Sequence, residues 1–347
     1  MAVPEMPEPT ISWDRRSGTI RFIDQTLLPE HYEIVSCETV ERLILAISRL
    51  EVRGAPALGV AGGMGVALAA ERSRAATRDA FLREVEQAAA RLAATRPTAV
   101  NLSWGVNRVL ARVIEAADPA DATKVAIREA LLMAEEDRAT CMRIGENGTS
   151  LIPDGATILT HCNAGALACT EWGTALGVVR SAARAGKRVK VIACETRPLF
   201  QGARLTAWEL SRDGIDVTVI PDGGAAYLMR RDGIHLVLVG ADRITRDAVF
   251  NKIGTYMHAV CASHHGIPFY VAAPCSTFDL RSGEDGITIE ERERSEVSRC
   301  GGRTLVPDEA RVKNLAFDAT PLSLVSAIIT EEGVLRPPYR IGSRISP

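Results

Sequence analysis

The sequence predicts an α/β protein of two domains, and two observations carry that expectation. From Gly148 onward, short apolar runs recur, each followed by a turn and a helical stretch: ATILTH (156–161), RVKVIAC (188–194), IDVTVI (215–220), IHLVLVG (234–240) and PFYVAA (268–273). Before Gly148 the apolar residues fall at helical spacing instead. Near-continuous apolar strands alternating with helices mark a parallel sheet covered on both faces. The expected organisation is therefore a smaller, mainly helical N-terminal domain over 1–147, opening with a short β entry. A Rossmann-like parallel-sheet domain follows over 148–347.

Each element has its own reason. Residues 19–35, TIRFIDQTLLPEHYEIV, mix β-formers with a Leu-Leu-Pro-Glu turn. After Thr39, Val40, Leu43, Ile44, Ile47 and Leu50 share one helical face. A second helix should begin near Ala57 and run through GVAGGMGVALAAERSR, apolar on nearly all sides and so buried. Residues 79–94 and 121–146 read as helices, with 95–101, TRPTAVN, as a proline-set loop. The charged stretch GITIEERERSEV (286–297) reads as a solvated loop leading into a helix. Neither an internal repeat nor a low-complexity segment is visible.

Composition excludes several function classes. The chain has 347 residues, 46% of them hydrophobic, with a formal charge of −2. That balance gives no electrostatic reason to expect nucleic acid or an acidic membrane as partner. No apolar run reaches the ~18–20 residues that cross a bilayer. The N-terminus, MAVPEMPEPTISWDRR, resembles neither a secretory nor a mitochondrial signal. Eight scattered cysteines without a CxxC pair point to free thiols in a reducing cytoplasm.

In open parallel sheets, ligands bind beyond the carboxyl ends of the strands. His161-Cys162-Asn163, Glu195-Thr196-Arg197-Pro198, Ala241-Asp242-Arg243 and Pro274-Cys275-Ser276-Thr277 all follow expected strands, so one edge of the sheet should gather them. Cys162, just past a strand and ahead of an expected helix rich in small residues, would gain thiolate character from turn amides and the helix dipole; a structural cysteine is the alternative. Asp242 closes a run free of other charge, which suits a partly desolvated general acid; a turn or N-cap aspartate is the alternative.

The stretch RGAPALGVAGGMG (53–65) offers Arg53, a glycine that lets amides approach a ligand, and a proline at a helix start. It is neither a Walker loop nor a dinucleotide fingerprint, and close helix packing explains its glycines equally well. Arg96 and Lys252 are further cation candidates, while Gln201 and Arg204 could bond sugar hydroxyls. His161, Cys162, Cys194, His264 and His265 could in principle hold a metal, but none of them pairs at zinc-ligand spacing.

Taken together, VRGAPALGVAGGMGVALAA, RPTAVNLSWGVNRV, ILTHCNAGALACTEWGTALG, ETRPLFQGARLTAWEL, GADRITRDAVFNKIGTY and NLAFDATPLSLVSAIITEEGVLRP resemble the methylthioribose-1-phosphate isomerases, in family order from about Ile20 to Pro337. The wider superfamily also holds ribose-1,5-bisphosphate isomerases and regulatory subunits of a translation-initiation guanine-nucleotide exchange factor.

The resemblance implies a cytoplasmic homodimer with Cys162 as catalytic thiol and Asp242 as catalytic acid/base. It implies a substrate site lined by Arg53, Gly54, Ala55, Arg96, Gln201, Asn251 and Lys252, with neither metal nor other cofactor. The implied reaction is aldose–ketose isomerisation of 5-methylthioribose 1-phosphate in methionine salvage, extending to 5-deoxyribose 1-phosphate. A ribose-1,5-bisphosphate isomerase and a non-catalytic sugar-phosphate-binding subunit are the alternatives. An apolar slot from Leu58, Met64 and Trp104 is expected to receive the C5 substituent. One departure stands out: residues 274–279 read PCSTFD, with Cys275 and Phe278 where the family pattern suggests threonine and isoleucine.

Overall fold

The computed structural model describes residues 8–97, 99–231 and 233–339. The chain divides into two compact units. The first runs to Met142 and takes in Gly165–Gly173; the second holds Arg143–Ala164 and the chain from Thr174 on.

The first unit opens with an antiparallel sheet of β1 (Ile11–Asp14), β2 (Thr19–Ile23) and β3 (Ile34–Cys37). Ile11 and Trp13 on β1 and Ile20 and Phe22 on β2 alternate into the core. Helix α1 (Val40–Ser48) starts where Thr39 Oγ1 accepts the Arg42 N–H at 3.2 Å, a cap worth about 1 kcal/mol. It ends before Leu50, which was expected on its apolar face but turns left-handed at φ 62° outside the helix.

Helix α2 (Ala55–Arg72) begins two residues before Ala57, carries Pro56 in its first turn, and is buried on nearly every side. It is covered by α3 (Arg78–Ala94) and α4 (Val100–Glu115), followed by the long α5 (Pro119–Thr149). Helix α4 starts inside the stretch expected to be loop up to residue 101. The glycines of α2 serve helix packing: a Cβ on Gly105 of α4 would lie 1.9 Å from the Gly59 carbonyl oxygen.

The second unit carries β4 (Ala156–Thr160), α6 (Ala175–Arg184), β5 (Val189–Cys194), a π-helical turn (Gly202–Thr206) running into α7 (Ala207–Arg212), β6 (Asp216–Ile220), α8 (Gly224–Arg230) and β7 (Leu236–Val239). Next come β8 (Arg243–Thr245), β9 (Ala248–Lys252), α9 (Thr255–His264), β10 (Phe269–Ala272) and β11 (Phe278–Asp279). The chain ends with α10 (Arg294–Ser298), β12 (Arg299–Cys300), β13 (Arg303–Thr304), β14 (Phe317–Pro321), β15 (Ala327–Thr330) and β16 (Gly333–Leu335).

The main sheet has the order β16-β15-β10-β7-β4-β5-β6 and is parallel except at β16. All five strands expected from the apolar runs lie in it. A smaller sheet, β11-β8-β9-β14, was not anticipated. The stretch 286–297 does lead into a helix, α10, but its charges are more paired than a solvated loop requires: Arg292 bonds both Glu290 and Glu296. Among the described residues, no helix is long and apolar enough to cross a membrane.

Candidate active site

Strand β4 is the pivot of the main sheet. The chain steps from it to β5 and β6 on one side, then returns to β7 on the other and continues to β10 and β15. Where strand order reverses in this way, the strand ends splay loops to opposite faces and leave a crevice for ligands. Cys162 follows the end of β4 at Thr160, and Asp242 follows the end of β7 at Val239. Leu159 and Val237 are in register. The two loops touch beyond the strands: a Cβ on Gly240 would stand 2.7 Å from the Ala164 Cβ, so any side chain there would push them apart.

Cys162 is half-buried and holds φ at 63°, a left-handed conformation that costs a residue bearing a Cβ about 1–2 kcal/mol. Its N–H donates to Thr196 Oγ1 at 2.8 Å, and its carbonyl accepts from Thr206 Oγ1 at 2.7 Å. Thr196 is itself left-handed at φ 67°; its N–H and that of Arg197 donate to the Asp222 carboxylate, each at 2.8 Å. The helix expected directly after Cys162 is not there. A short 3₁₀ turn at Ala166–Ala168 intervenes, and α6 starts only at Ala175, because Gly165–Gly173 leaves for the first unit. The helix dipole expected at the Cys162 turn therefore begins only at Ala175.

Asp242 is half-buried, and its N–H donates to the Phe250 carbonyl at 2.9 Å. The chain continues into β8, so the helix N-cap alternative falls.

Behind the Cys162 turn lies a buried polar layer. Asn163 Nδ2 donates to Thr206 Oγ1 at 3.2 Å and to Glu209 Oε1 at 2.9 Å. Glu209 and Asp213 each accept from the buried Arg180 guanidinium, at 2.7 and 2.8 Å. On the other side, His258 and His161 bond ring to ring at 3.1 Å. Among the described residues, two groups bring ligand-type atoms within 4.8 Å of one another: His161, Cys194 and His258, and Asp137, Cys141 and Cys169. In the first, the imidazole–imidazole bond already accounts for the approach of the nitrogens. Sequence spacing hid it, because one residue follows β4, one ends β5 and one lies on α9.

The remaining expected residues separate by unit. In the second, Gln201 is buried and its Oε1 has no hydrogen-bond partner among the described residues. Asn251 donates Nδ2 to Thr255 Oγ1 at 3.1 Å. Lys252 Nζ donates to the Ala316 carbonyl at 2.9 Å and lies 4.8 Å from the centre of the Phe317 ring. Arg204 reaches back to the Leu199 carbonyl at 3.3 Å. Burial pushes the Cys275 thiol up to about 11, and its N–H is held by Glu331.

In the first unit, Arg53 is buried and donates Nε to Gln25 Oε1 at 2.9 Å, while Gln25 Nε2 donates to the Leu167 carbonyl at 2.8 Å. Gly54 has φ 93° and lies against the Ala168 backbone, where a Cβ would come within 2.4 Å. Ala55 opens α2, and Arg96 is half-buried before α4. Leu58 and Met64, expected in an apolar slot, are core residues of the helical unit. Trp104 is partly exposed, with the Arg108 guanidinium 5.5 Å from its ring centre.

Residues 51–337 match the model of the Initiation factor 2 subunit family. The chain belongs to that family. It is 52% identical over 336 residues to the methylthioribose-1-phosphate isomerase of Pelotomaculum thermopropionicum, covering 95% of this chain and 92% of that one. It is equally similar, 52% over 338 residues and 96% of both chains, to the 5-deoxyribose 1-phosphate isomerase of Moorella thermoacetica. Among solved structures, that of 5-methylthioribose 1-phosphate isomerase from Pyrococcus horikoshii OT3 aligns with a TM-score of 0.89 at 43% identity, over 96% of this chain and 94% of that one.

Proposed function

We propose that this protein is an aldose–ketose isomerase that converts 5-methylthioribose 1-phosphate to 5-methylthioribulose 1-phosphate in methionine salvage, with Cys162 and Asp242 as its catalytic pair. The observation that carries the reading is the meeting of the Cys162 and Asp242 loops at the switch point of the sheet. It occurs in a chain whose relatives of the same length are isomerases of this type.

The chemistry asks for such a pair. A phosphorylated anomeric oxygen prevents the ring from opening to a free aldehyde, so an acid must protonate the ring oxygen as its bond to C1 breaks. Asp242 is assigned that role. The C2 hydrogen must then move to C1 while C2 becomes a ketone. On an enol route the Cys162 thiolate takes the C2 proton, the C1=C2 enol forms, C1 is reprotonated and the C2 hydroxyl gives up its proton. On a hydride route the hydrogen passes directly from C2 to C1, and the thiolate takes the hydroxyl proton. Reaction in D2O separates the two, since only the enol route places deuterium on C1.

Arg53, with the amides at Gly54 and Ala55, is assigned to the phosphate, and Arg96 and Lys252 to further charge contacts. Gln201 and Asn251 are assigned to sugar hydroxyls; a buried carboxamide oxygen without a donor suits that role. A homodimer in the cytoplasm fits the chain as well. Tyr227 on α8 and Tyr256, Met257 and Val260 on α9 expose apolar surface on two helices that pack together, and the eight cysteines are free.

The test is incubation of the protein with 5-methylthioribose 1-phosphate, 5-deoxyribose 1-phosphate and ribose 1,5-bisphosphate, following ketose by NMR. The methylthio sugar should give the highest kcat/KM. The deoxy sugar should be poorer by roughly 10–200-fold, the value of one apolar contact of this size. A bisphosphate that proves the best of the three would replace this reading, and no turnover of any sugar would favour a binding subunit.

A further inference from the structure

We infer that Thr196 and Thr206 are positioning residues for the Cys162 thiol, an inference that rests on Cys162 being the catalytic thiol. Cys162 occupies a left-handed backbone conformation that its own Cβ disfavours. Such conformations persist when the surroundings over-determine them, and they collect at functional sites.

Here the surroundings are two hydroxyls from different elements, one on each side of the Cys162 residue. Thr196, beyond the end of β5, accepts the Cys162 N–H and donates its own hydrogen to the Cys194 carbonyl at 3.0 Å. Thr206, the last residue of the π-helical turn, donates to the Cys162 carbonyl and accepts from Asn163 Nδ2.

Each hydroxyl is thus committed on both its donor and its acceptor side, and both threonines are fully buried. A π-helical turn carries one more residue than an α-helical turn, a distortion frequent at functional sites. Here its terminal residue is the one that reaches Cys162. The layer behind it is rigid, because Asn163 is shared with Glu209, and Glu209 is bound to Arg180. Valine has the shape of threonine without the hydroxyl. It would release one side of Cys162 and let the backbone relax toward the ordinary φ range, carrying the thiol away from its working position.

The experiment compares Thr196→Val and Thr206→Val with Thr196→Ser and Thr206→Ser in the 5-methylthioribose 1-phosphate assay, with Cys162→Ala alongside. Each valine variant should lose ~100-fold in kcat, the cost of a displacement of about 1 Å at a reacting group, with KM within threefold. Each serine variant should stay within threefold of the parent. Should a valine variant not fold, the alanine variant at that position carries the same comparison with serine. Valine or alanine variants that keep parental kcat, or serine variants as impaired as they are, overturn the inference. Cys162→Ala at full activity overturns instead the catalytic reading beneath it.

Discussion

His258 donates its Nε2–H to His161 Nδ1 at 3.1 Å, and His161 in turn donates its Nε2–H to the Ile253 carbonyl at 2.8 Å. That arrangement requires His161 Nδ1 to be bare, so the His161 ring is neutral. Burial, first, holds both imidazoles well below their ordinary value of 6.5, and the charge each would impose on the other adds to the effect at His258. Lys252 disfavours a charge on His161, while Asp222 favours one on His258.

A pH dependence follows from this pair. In the unfolded chain the histidines take up protons as pH falls through about 6.5, whereas in the fold they stay neutral. Their contribution to stability is therefore present above pH 6.5 and lost as pH falls below it. Asp137 and Asp318 act in the opposite sense: burial raises each to about 6, so their folded forms keep protons that the unfolded chain releases above about pH 4. The comparison must isolate the histidines. The difference in melting temperature between the parent and His258→Gln should shrink steadily from pH 7 to pH 5. A constant difference across that range would remove the histidine pair as the cause.

Arg180 supports a second prediction. Its guanidinium is buried between Glu209 and Asp213, both buried as well. Arg180→Met fills much of the same space but leaves two carboxylates without their cation, a loss of about 3–5 kcal/mol. Chemical denaturation should show a drop of that size. A loss below about 1 kcal/mol would mean that the carboxylates take up protons or water readily and the layer behind Cys162 is softer than its bonding implies.

How much of this was legible in the sequence depends on the range of the interactions. Strands β4, β5, β6, β7 and β10 could be read because each is an apolar run set between turns. Strands β8, β9 and β14 could not, because RIT, AVFNK and FDATP are short and broken by polar residues. The glycines of α2 left a phosphate cradle and helix packing equally open until Gly105 came to lie on Gly59. Cys162 was recognisable as a residue following a strand. Its left-handed backbone was not, since that depends on hydroxyls 34 and 44 residues away. The histidine pair joins residues 97 apart. Local pattern gives strand ends; only the folded chain gives what holds the side chains there.

Arg53 supplies the third prediction. Its Nε is engaged by Gln25, and its burial leaves little freedom for the guanidinium to turn away. Arg53→Met keeps the apolar stem and removes charge-assisted bonds to a phosphate worth about 1.5–3 kcal/mol each. KM for the sugar phosphate should rise at least tenfold, and inorganic phosphate should inhibit the variant less than the parent. A KM equal to the parent's would send the phosphate elsewhere.

The central claim is that Cys162 and Asp242 carry out the isomerisation, and the most direct measurement is turnover of 5-methylthioribose 1-phosphate by Cys162→Ala and Asp242→Asn, with substrate binding followed by calorimetry. Removing a general acid or base costs ~100–10,000-fold in rate. Each variant should therefore fall at least 100-fold in kcat while binding the sugar within a few-fold of the parent. Turnover within threefold of the parent in either variant would contradict the claim for that residue, and binding lost together with turnover would make it a binding residue instead.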